Sequence, residues 1–463
     1  MIRTHNCGQL NEKKIKEKVI LCGWVASRRD HGKIIFVDLR DRYGITQLIF
    51  LPKPEEVSGK AKKIRSEDVI KIKGVVNKRP VKTENPNIPT GLIEVCVEEL
   101  EFLSRSKELP FELDKDKEVS EELKLHHRYL YLRKPEVLAK FILRHKLNQN
   151  IREFLNKKEF LEIETPMLTK STPEGARDFL VPSRLQPKKF YALPQSPQLF
   201  KQILMVSGFD KYYQIARCFR DEDLRKDRQP EFTQLDIEGS FLEEDDVLNL
   251  TEEMLASIFS QVLGVKLKTP FPRITYQDAL EKYKTDKPDI EDNPVSRDYR
   301  FLWVVSFPLF EYNQEDKRWQ PLHHPFTAPG QESLEGLDGN NLAQLKSRSY
   351  DLVLNGEEIG SGSVRIHSSE IQKKVFEILG ISKKEAEEKF GFLLRSFNFG
   401  VPPHAGIAFG LDRLYAIITK SESIRDIIAF PKTQRGISPL TGAPSSVLES
   451  QLKELGIKKT EEE

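Results

Sequence analysis

The chain has 463 residues, of which 38% are hydrophobic and 31% are charged, a composition that excludes a disordered or membrane-embedded protein and predicts two or three domains. Lysine and arginine outnumber aspartate and glutamate by only 73 to 71. Any surface that binds nucleic acid must therefore be local rather than a property of the whole chain.

The first residues and the cysteines predict a cytoplasmic protein without a cysteine-based metal site. The segment from Met1 to Cys7 has neither an apolar signal core nor an arginine- and serine-rich leader, and no apolar run approaches membrane-spanning length. No Cys-x-x-Cys pair occurs, so we expect no zinc site and no disulfide framework. We expect the thiols to be mostly buried: Cys7, Cys22, Cys96 and Cys218.

Short alternating strands fill the region up to about residue 104. They are predicted at 19–25, 34–39, 45–50, 69–74 and 92–95, with a helix after Pro54 and before the fourth strand. Five strands within about a hundred residues are typical of an OB-fold β-barrel, and such barrels commonly bind single-stranded nucleic acid on one face. The predicted N-terminal domain is residues 1–104.

A charged, weakly patterned stretch follows, and we place a linker or hinge at 105–134. From Pro135 onward, apolar residues recur at helical spacing and predict a long amphipathic helix. Strand-like segments then alternate irregularly with helices, which predicts an α+β domain at 135–445, built on an antiparallel sheet flanked by helices. The charged residues 446–463 are predicted to be a C-terminal tail.

The densest group of charged side chains lies at 217–238. A charge run of this kind is commonly a solvated hairpin held by salt bridges. Arg220 and Glu222, however, share one strand face, which would suit them to grip a phosphate and the adjacent nucleotide. The residues alone leave both interpretations open.

A second group lies at 406–418, where an apolar strand with glycines runs into an apolar helix. Arg413 stands at the junction, where an arginine is costly unless it is paired or binds a ligand. Pairing with Asp412 would explain it. A triphosphate contact beside glycines that allow close approach would explain it as well.

Two acidic residues, Asp351 and Glu358, flank a predicted turn at Asn355 and Gly356. The turn would join two strands and could bring the carboxylates side by side. Two such carboxylates near a phosphate-binding cluster imply Mg²⁺. The alternative is that they are ordinary exposed acids on a strand.

These three groups resemble motif 2, the strands before motif 3, and motif 3 of class II aminoacyl-tRNA synthetases, and residues 160–168 resemble motif 1. More narrowly, bacterial-type aspartyl-tRNA synthetases are closely similar in five segments: 172–179, 195–201, 219–223, 323–327 and 410–413. The resemblance is ordered and spans nearly the whole chain. It implies a class II synthetase catalytic domain behind an anticodon-binding barrel.

The resemblance implies ATP-dependent ligation of L-aspartate to tRNA-Asp through an aspartyl-adenylate, with ATP as a substrate and Mg²⁺ as a cofactor. The aspartate α-carboxylate would attack the α-phosphorus, so no nucleophilic side chain is needed. The resemblance also implies a homodimer joined near Pro166. Whether tRNA-Asn is charged too stays open, because His31 favours it, whereas Lys82 replaces the glycine that such dual-specificity relatives often have.

The resemblance also assigns contact residues, position by position. The aspartate pocket would consist of Glu174, which receives the ammonium group, with Gln198, Lys201, Arg220, Asp236, His323 and Arg365. ATP would be bound by Arg220, Asp221, Glu222, Gln229, Glu358, Gly410, Leu411, Asp412 and Arg413. Arg220, Arg413 and Glu358 would be catalytic, and Asp351 and Glu358 would hold Mg²⁺. The anticodon would be bound by Arg29, His31, Phe36, Gln47, Lys82 and Glu94, although without the resemblance Phe36 would be read as a core residue.

One departure from the family concerns an inserted domain. Bacterial aspartyl enzymes usually carry it after an Asp-Lys-Pro-Asp segment like 286–289, but here residues 290–300 form a short polar loop in its place. We expect activity to survive. The alternatives are an asparaginyl- or lysyl-type synthetase, disfavoured by Lys201 and Arg365, and a non-catalytic synthetase-like RNA-binding protein, disfavoured by Arg220, Glu358 and Arg413.

Overall fold

The structure is a computed structural model and describes residues 2–172, 175–339 and 341–459. Its internal contacts divide the chain into two compact units. The first unit runs to Glu121 and includes Tyr129–Leu138, and the second consists of Glu122–Arg128 and the chain from Ala139 onward. The domain boundaries predicted from the sequence, at 104, 134 and 445, stay predictions.

The first unit is built on a closed five-stranded barrel. Its elements are β1 (Lys18–Asp30), β2 (Ile35–Asp41), β3 (Gly44–Phe50), α1 (Glu55–Ala61), β4 (Val69–Lys78) and β5 (Ile93–Ser104). The strands close in the order β1-β2-β3-β5-β4, and only the β3–β5 pair is parallel. The predicted OB-fold barrel, including the helix before its fourth strand, is confirmed.

Alternating side chains fill this barrel. Val19, Leu21 and Val25 of β1 point inward, as do Ile70 and Ile72 of β4, because successive residues of a strand face opposite sides. Several strands extend beyond the predicted segments, because polar residues outside the apolar pattern continue the pairing. Cys7 and Cys218 are buried, but Cys22 and Cys96 are only partly buried, so the expected burial of the thiols holds for half of them.

The second unit is larger and α+β. The elements from residue 121 onward are α2 (Glu121–His126), α3 (Arg128–Tyr131), α4 (Pro135–Lys157), β6 (Leu161–Glu162), β7 (Leu180–Pro182), β8 (Phe190–Ala192), α5 (Gln198–Val206), β9 (Lys211–Phe219), β10 (Glu231–Ser240), α6 (Glu244–Ile258), β11 (Arg273–Thr275), α7 (Tyr276–Tyr283), β12 (Phe301–Val305), β13 (Phe310–Asn313), β14 (Arg318–Pro321), β15 (Ser349–Leu354), β16 (Glu357–Val364), α8 (Ser369–Ile378), α9 (Lys383–Ser396), β17 (His404–Gly410), α10 (Leu411–Ile418) and α11 (Glu449–Leu455). The long helix α4 starts at the predicted proline. No helix of the described residues is long and apolar enough to cross a bilayer.

An eight-stranded sheet is the framework of this unit, with strand order β11-β12-β15-β16-β17-β10-β9-β6. Its neighbours are antiparallel except for the outer pairs β11–β12 and β6–β9. The predicted antiparallel sheet flanked by helices is therefore confirmed. Two small hairpins, β13–β14 and β7–β8, stand outside the sheet.

Helices α4, α6 and α10 cover one face of the sheet and form the main apolar core. Leu235 and Ile237 of β10 point into this core. Asp236 and Glu238 alternate with them and therefore point to the opposite face. One strand thus contributes to both the core and the surface that carries the candidate site.

Residues 290–300, where the resemblance places the inserted domain of relatives, contain no helix or strand. The segment nevertheless packs tightly, because Val295 is buried in the main core and the Asn293 side chain donates to the Phe301 carbonyl oxygen at 2.8 Å. The segment is therefore irregular and anchored to the core, and it is not purely polar.

Candidate active site

A cavity of about 470 Å³ opens on the face of the large sheet to which Asp236 points. Its walls come from α5, from the central strands β10, β16 and β17, and from the loop between β9 and β10. Segments far apart in sequence meet here, and most residues predicted to bind aspartate or ATP line it: Gln198, Lys201, Arg220, Glu222, Gln229, Asp236, His323, Glu358, Arg365, Gly410, Asp412 and Arg413.

Two cations and two carboxylates form a buried cluster at one end of the cavity. Lys201 donates to Asp236 Oδ1 at 2.9 Å, and its Nζ lies 3.3 Å from Glu238 Oε2. Arg365 donates from Nε and Nη2 to the two Glu238 oxygens, at 2.9 and 3.1 Å. At most 1% of each of these four residues is exposed. Their mutual pairing offsets the cost of removing four charges from water.

Glu238 is the residue that holds both cations, although the sequence assigned it no role. Burial acts to raise its pKa, but Arg365 and Lys201 outweigh burial and lower the pKa to about 2. Its carboxylate lies directly over Gly406, where a Cβ would stand 2.0 Å from Glu238 Oε2. Glycine is therefore required there. The signal in the sequence was the spacing of two that puts Glu238 on the same face as Asp236.

The cluster leaves several polar atoms unused, and these define what it can bind. Lys201 Nζ has three hydrogens and two carboxylate contacts, so at least one N–H is unused. Arg365 donates its two Nη1 hydrogens to His324 and Ser363 and one Nη2 hydrogen to Glu238, so one Nη2 hydrogen is unused. Asp236 Oδ2 and Gln198 Nε2 are buried without a hydrogen-bond partner among the described residues. A ligand with one carboxylate and one ammonium group would satisfy donors and acceptor together.

His323 and His324 lie beside this cluster, with ring centroids 4.5 Å apart. Arg365 Nη1 lies 2.6 Å from His324 Nε2. Because a guanidinium only donates, this nitrogen must accept, so the ring does not carry a proton on both nitrogens. Burial, helped by Arg365 and Lys201, lowers the pKa of His323 to about 3, and burial and His323 hold the pKa of His324 well below its ordinary value.

Arg220 and Arg413 also line the cavity. The Arg220 guanidinium carbon lies 5.1 Å from the centre of the Phe232 ring. Arg413 donates from Nη1 to the Glu358 carbonyl oxygen, and its Nη2 lies 3.4 Å from Asp227 Oδ2. Within the described part of the chain, the Nε of each arginine is buried and has no hydrogen-bond acceptor. Two guanidinium groups with unused donors suit a polyphosphate.

Asp351 and Glu358 lie on the β15–β16 hairpin, and its predicted turn at Asn355 and Gly356 is confirmed. Asp351 faces Ser361, and Glu358 faces Val353, so the acids are diagonal neighbours rather than direct partners. Burial and the nearby Glu358 raise the pKa of Asp351 well above its ordinary value, although Ser361 donates to Asp351 Oδ1 at 2.5 Å.

The acidic pair fits Mg²⁺ only in combination with phosphate oxygens. Among the described residues, no group of three or more His, Cys, Asp or Glu side chains is arranged to hold a metal ion. Mg²⁺ is usually held by one or two carboxylates together with substrate phosphates and water. Glu358 lines the cavity and its carbonyl oxygen accepts from Arg413, and Asp351 is its diagonal neighbour on the hairpin, so the pair can meet that requirement.

Two predicted contacts do not line this cavity, two line it but use their polar atoms on the fold, and one cannot be placed. Asp221 lines a neighbouring cavity, and Leu411 is fully buried in the main core. Asp412 accepts the Thr233 N–H at 2.8 Å and also pairs with Arg144, so its carboxylate is occupied by the fold. The Gln229 side-chain amide accepts the Lys432 N–H at 2.8 Å and donates to the Lys432 carbonyl oxygen at 3.0 Å. Glu174 lies outside the described residues.

In the first unit, the predicted anticodon residues form a polar network on the outside of the barrel. Arg29 donates to both Asp38 oxygens, at 2.8 and 3.1 Å, and to Gln47 Oε1 at 3.3 Å. Gln47 in turn donates to Glu94 at 2.9 Å. Phe36 alternates with the core residues of β2, so its ring points outward and is only partly buried. The core interpretation of Phe36 is therefore wrong.

Three further predicted residues are exposed. The His31 ring meets the Phe36 ring edge-on, with centroids 5.6 Å apart. Lys82 has a φ of +74°, a backbone conformation that glycine adopts more readily than any other residue. Pro166 stands among exposed apolar side chains, Leu161, Met167 and Leu168, as an interface segment would require.

Two family models match the chain. The model described as tRNA synthetases class II (D, K and N) covers residues 120–434, and the model of an OB-fold nucleic acid binding domain covers 19–103. Among solved structures, the asparaginyl-tRNA synthetase of Pyrococcus horikoshii complexed with asparaginyl-adenylate is similar, with a TM-score of 0.76 and 25% identity. That likeness covers 94% of this chain and 99% of the other.

Curated relatives are similar over their whole length. The aspartate–tRNA(Asp/Asn) ligase of Persephonella marina is 45% identical over 98% of this chain and 97% of its own, and that of Endomicrobium trichonymphae is 43% identical over 100% of both. The first alignment has 587 positions, which exceeds the 463 residues of this chain by 124, so the relative carries residues that this chain lacks. The chain belongs to the class II tRNA synthetases of the D, K and N group.

Proposed function

We propose that the chain ligates L-aspartate to tRNA-Asp in two steps that consume ATP. The observation that carries this proposal is the set of unused polar atoms in the buried cluster: at least one N–H on Lys201, at least one on Arg365, and the free Asp236 Oδ2. The names of the curated relatives, aspartate–tRNA(Asp/Asn) ligases, support the same substrate.

In this proposal, the aspartate side-chain carboxylate accepts from Lys201 and Arg365. The ammonium group donates to Asp236 Oδ2 and to Glu174, the acceptor that the resemblance implies. A carboxylate has only acceptors, so it matches two cations that only donate. The side-chain amide of asparagine would turn its NH₂ toward one of these donors and bring no compensating charge. We therefore expect a discrimination against asparagine of roughly a hundredfold or more in kcat/KM.

The first step joins the aspartate α-carboxylate to the α-phosphorus of ATP. A carboxylate oxygen forms the new O–P bond, and the bond to the β-phosphate oxygen breaks to release pyrophosphate. Arg220 would neutralise charge at the α-phosphate and Arg413 at the γ-phosphate, both from fixed positions. Mg²⁺ held with ATP by Asp351 and Glu358 would neutralise further phosphate charge.

The second step transfers the aspartyl group to tRNA. A 3′-terminal hydroxyl of the tRNA attacks the carbonyl carbon of the mixed anhydride, and AMP leaves with the bonding electrons. Positioning replaces a side-chain nucleophile, as the sequence resemblance implied. These tRNA substrates also favour a cytoplasmic location.

Amino-acid-dependent ATP–pyrophosphate exchange tests the first step. We expect exchange with aspartate and little with asparagine or lysine. Lys201→Met should abolish it, because the buried carboxylates then lose a cation. Lys211→Met is a matched control, since that lysine is 39% exposed and outside the cavity. Exchange with asparagine as fast as with aspartate would contradict aspartate as the specific substrate. No exchange with any of the three amino acids would favour a non-catalytic RNA-binding protein.

We propose that tRNA-Asn is charged with aspartate as well. The support comes from the exposed His31 next to Phe36 and from the (Asp/Asn) in the names of the relatives. Charging of purified tRNA-Asp and tRNA-Asn transcripts, measured in separate reactions with labelled aspartate, tests this. If only tRNA-Asp is charged, the barrel discriminates, and Lys82→Gly, which relieves the φ of +74°, would be the next variant to examine.

We also propose a homodimer joined through the segment around Pro166. Leu161, Met167 and Leu168 are 49%, 38% and 52% exposed, and a partner subunit would cover them. Analytical ultracentrifugation should give twice the mass of the chain, and Leu168→Lys should shift the equilibrium toward monomer. A stable, fully active monomer would contradict this interface.

A further inference from the structure

The hairpin that carries Asp351 and Glu358 is held from outside the cavity by the segment 286–300. Its turn residues, Asn355 and Gly356, have φ of 52° and 79°, the conformation of a tight two-residue hairpin turn. Glu358 follows only three positions after Asn355. Any displacement of the turn is therefore passed almost directly to the Glu358 carboxylate.

Asn355 connects the turn to the segment through three hydrogen bonds. Its side-chain Oδ1 accepts the Arg300 N–H at 2.8 Å, and its Nδ2 donates to the Asp298 carbonyl oxygen at 3.0 Å. Its own backbone N–H donates to the Arg300 carbonyl oxygen at 3.2 Å. Since the amide side chain uses both of its ends, no other side chain would replace it without losing a bond.

The segment itself is fixed at both ends, so it can act as a support. Arg300 donates from Nε and Nη2 to the two Asp289 oxygens, at 2.6 and 2.5 Å, which closes the loop between them. Val295 is buried in the main core. The turn packs on the segment too, because a Cβ on Gly356 would lie 3.3 Å from the Asp289 Cβ.

The supported turn also determines the position of a second catalytic group. The carbonyl oxygen of Glu358 accepts from Arg413 Nη1, and the unused Nε of Arg413 lies at the phosphate end of the cavity. The hairpin therefore sets the position of one predicted metal ligand and one predicted phosphate ligand together. Among the described residues, neither of them is hydrogen-bonded to Lys201 or Arg365.

We propose that the segment 286–300 positions the metal and phosphate end of the site, with Asn355 as the positioning residue. This inference rests on the proposed function, because it assigns the hairpin to Mg²⁺ and ATP. The resemblance places an inserted domain of relatives at this point of the chain, and here the short segment stands in its place and contacts the hairpin turn.

Asn355→Gly tests this inference, because glycine keeps the positive φ but removes both side-chain bonds. We expect the KM for Mg·ATP in pyrophosphate exchange and the Mg²⁺ concentration for half-maximal exchange to rise roughly tenfold, and the KM for aspartate to stay unchanged. Independently of activity, calorimetric binding of a non-hydrolysable ATP analogue in the presence of Mg²⁺ should weaken by a similar factor.

Asn313→Gly is the matched control, since Asn313 caps another hairpin turn, accepting the N–H groups of Glu315 and Asp316 at 2.9 and 3.0 Å. It should leave all of these constants unchanged. Asp289→Asn provides a second variant should Asn355→Gly fail to fold, because it weakens the pair with Arg300 and keeps its shape. We expect a smaller rise of the same two constants.

Three outcomes are distinguishable. Unchanged Mg·ATP constants in both variants would overturn the positioning role, and so would an equal rise in the KM for aspartate, which would indicate general loosening of the fold. Absence of aspartate-dependent exchange in the unmodified chain would instead refute the proposed function. Calorimetric binding of the ATP analogue would then still test whether Asn355 positions the hairpin.

Discussion

Glu238 contacts both cations of the buried cluster. Replacing it with glutamine removes its charge but keeps its shape. Glu238→Gln keeps the volume but presents an N–H to Arg365 or Lys201 and leaves the cluster with an excess positive charge. We expect the KM for aspartate to rise at least about tenfold because the two donors are no longer held in place, with a smaller change for Mg·ATP. Pyrophosphate exchange measures both constants. Equal changes in the two would contradict a specific role in aspartate binding.

Arg413 and Arg220 are predicted to act on charge that develops at the phosphates. Replacing either with alanine should reduce the rate of adenylate formation at least about a hundredfold, since each supplies a fixed cation in a water-poor cavity. Single-turnover formation of the aspartyl-adenylate measures this rate. Arg217→Ala is a control, because Arg217 pairs with Glu231 at 2.7 Å and does not line the cavity. A near-normal rate in the Arg413 or Arg220 variant would remove that residue from the catalytic set.

Motif resemblance predicted roles for Lys201, Arg220, Arg365 and Arg413, and the structure brings all four to one cavity. It missed Glu238 because the importance of that carboxylate depends on strand pairing: Glu238 faces Gly406 across β10 and β17. Asp412 and Gln229 were assigned to ATP, yet in the structure they accept hydrogen bonds from the backbone N–H groups of Thr233 and Lys432. A motif alone cannot reveal these backbone partners.

Strand β10 contributes one face to the main core and the other to the cavity. Leu235 is fully buried on the core side, so Leu235→Ala should lower the free energy of unfolding by about 2–5 kcal/mol. Urea unfolding followed by circular dichroism measures this. Leu185→Ala, at a position 75% exposed, should have almost no effect. An equally small effect at Leu235 would mean that the core packs less tightly than the structure indicates.

Apolar periodicity predicted the existence and type of these elements but not their ends. β1 was expected at 19–25 and runs to Asp30, because Arg28 and Arg29 continue to pair with Val37 and Phe36. Polar residues on an outward face give no hydrophobic signal, although their backbone pairs equally well. The 290–300 loop was predicted as polar because the burial of Val295 depends on the core beneath it.

For the molecule as a whole, three histidines with lowered pKa values predict a loss of stability in mild acid. Burial lowers the pKa of His323 to about 3 and also lowers the pKa of His324 and His404. Below pH of about 6.5 the unfolded chain therefore binds protons that the folded chain does not. Stability should fall with decreasing pH by up to about 1.4 kcal/mol per pH unit for His323, between about pH 6.5 and pH 3, and the lowered pKa values of His324 and His404 should add to this fall.

Thermal unfolding at pH 7.5 and pH 5.5 tests this prediction. The midpoint should be lower at the acidic pH, and His404→Gln should reduce the difference. The exposed His145 offers a matched variant, His145→Gln, that should leave the difference unchanged. A midpoint that does not change between the two pH values would contradict the neutral state of the three histidine rings.

The central claim is that the cavity binds aspartate and that the chain transfers it to tRNA. Charging of a purified tRNA-Asp transcript with labelled aspartate or labelled asparagine, in the presence of ATP and Mg²⁺, tests it most directly. We predict that aspartate labels the tRNA, that alkali removes this label, and that asparagine gives almost none. The aspartate label should be lost in Lys201→Met. Charging with asparagine instead, or no charging with either amino acid, would contradict the account.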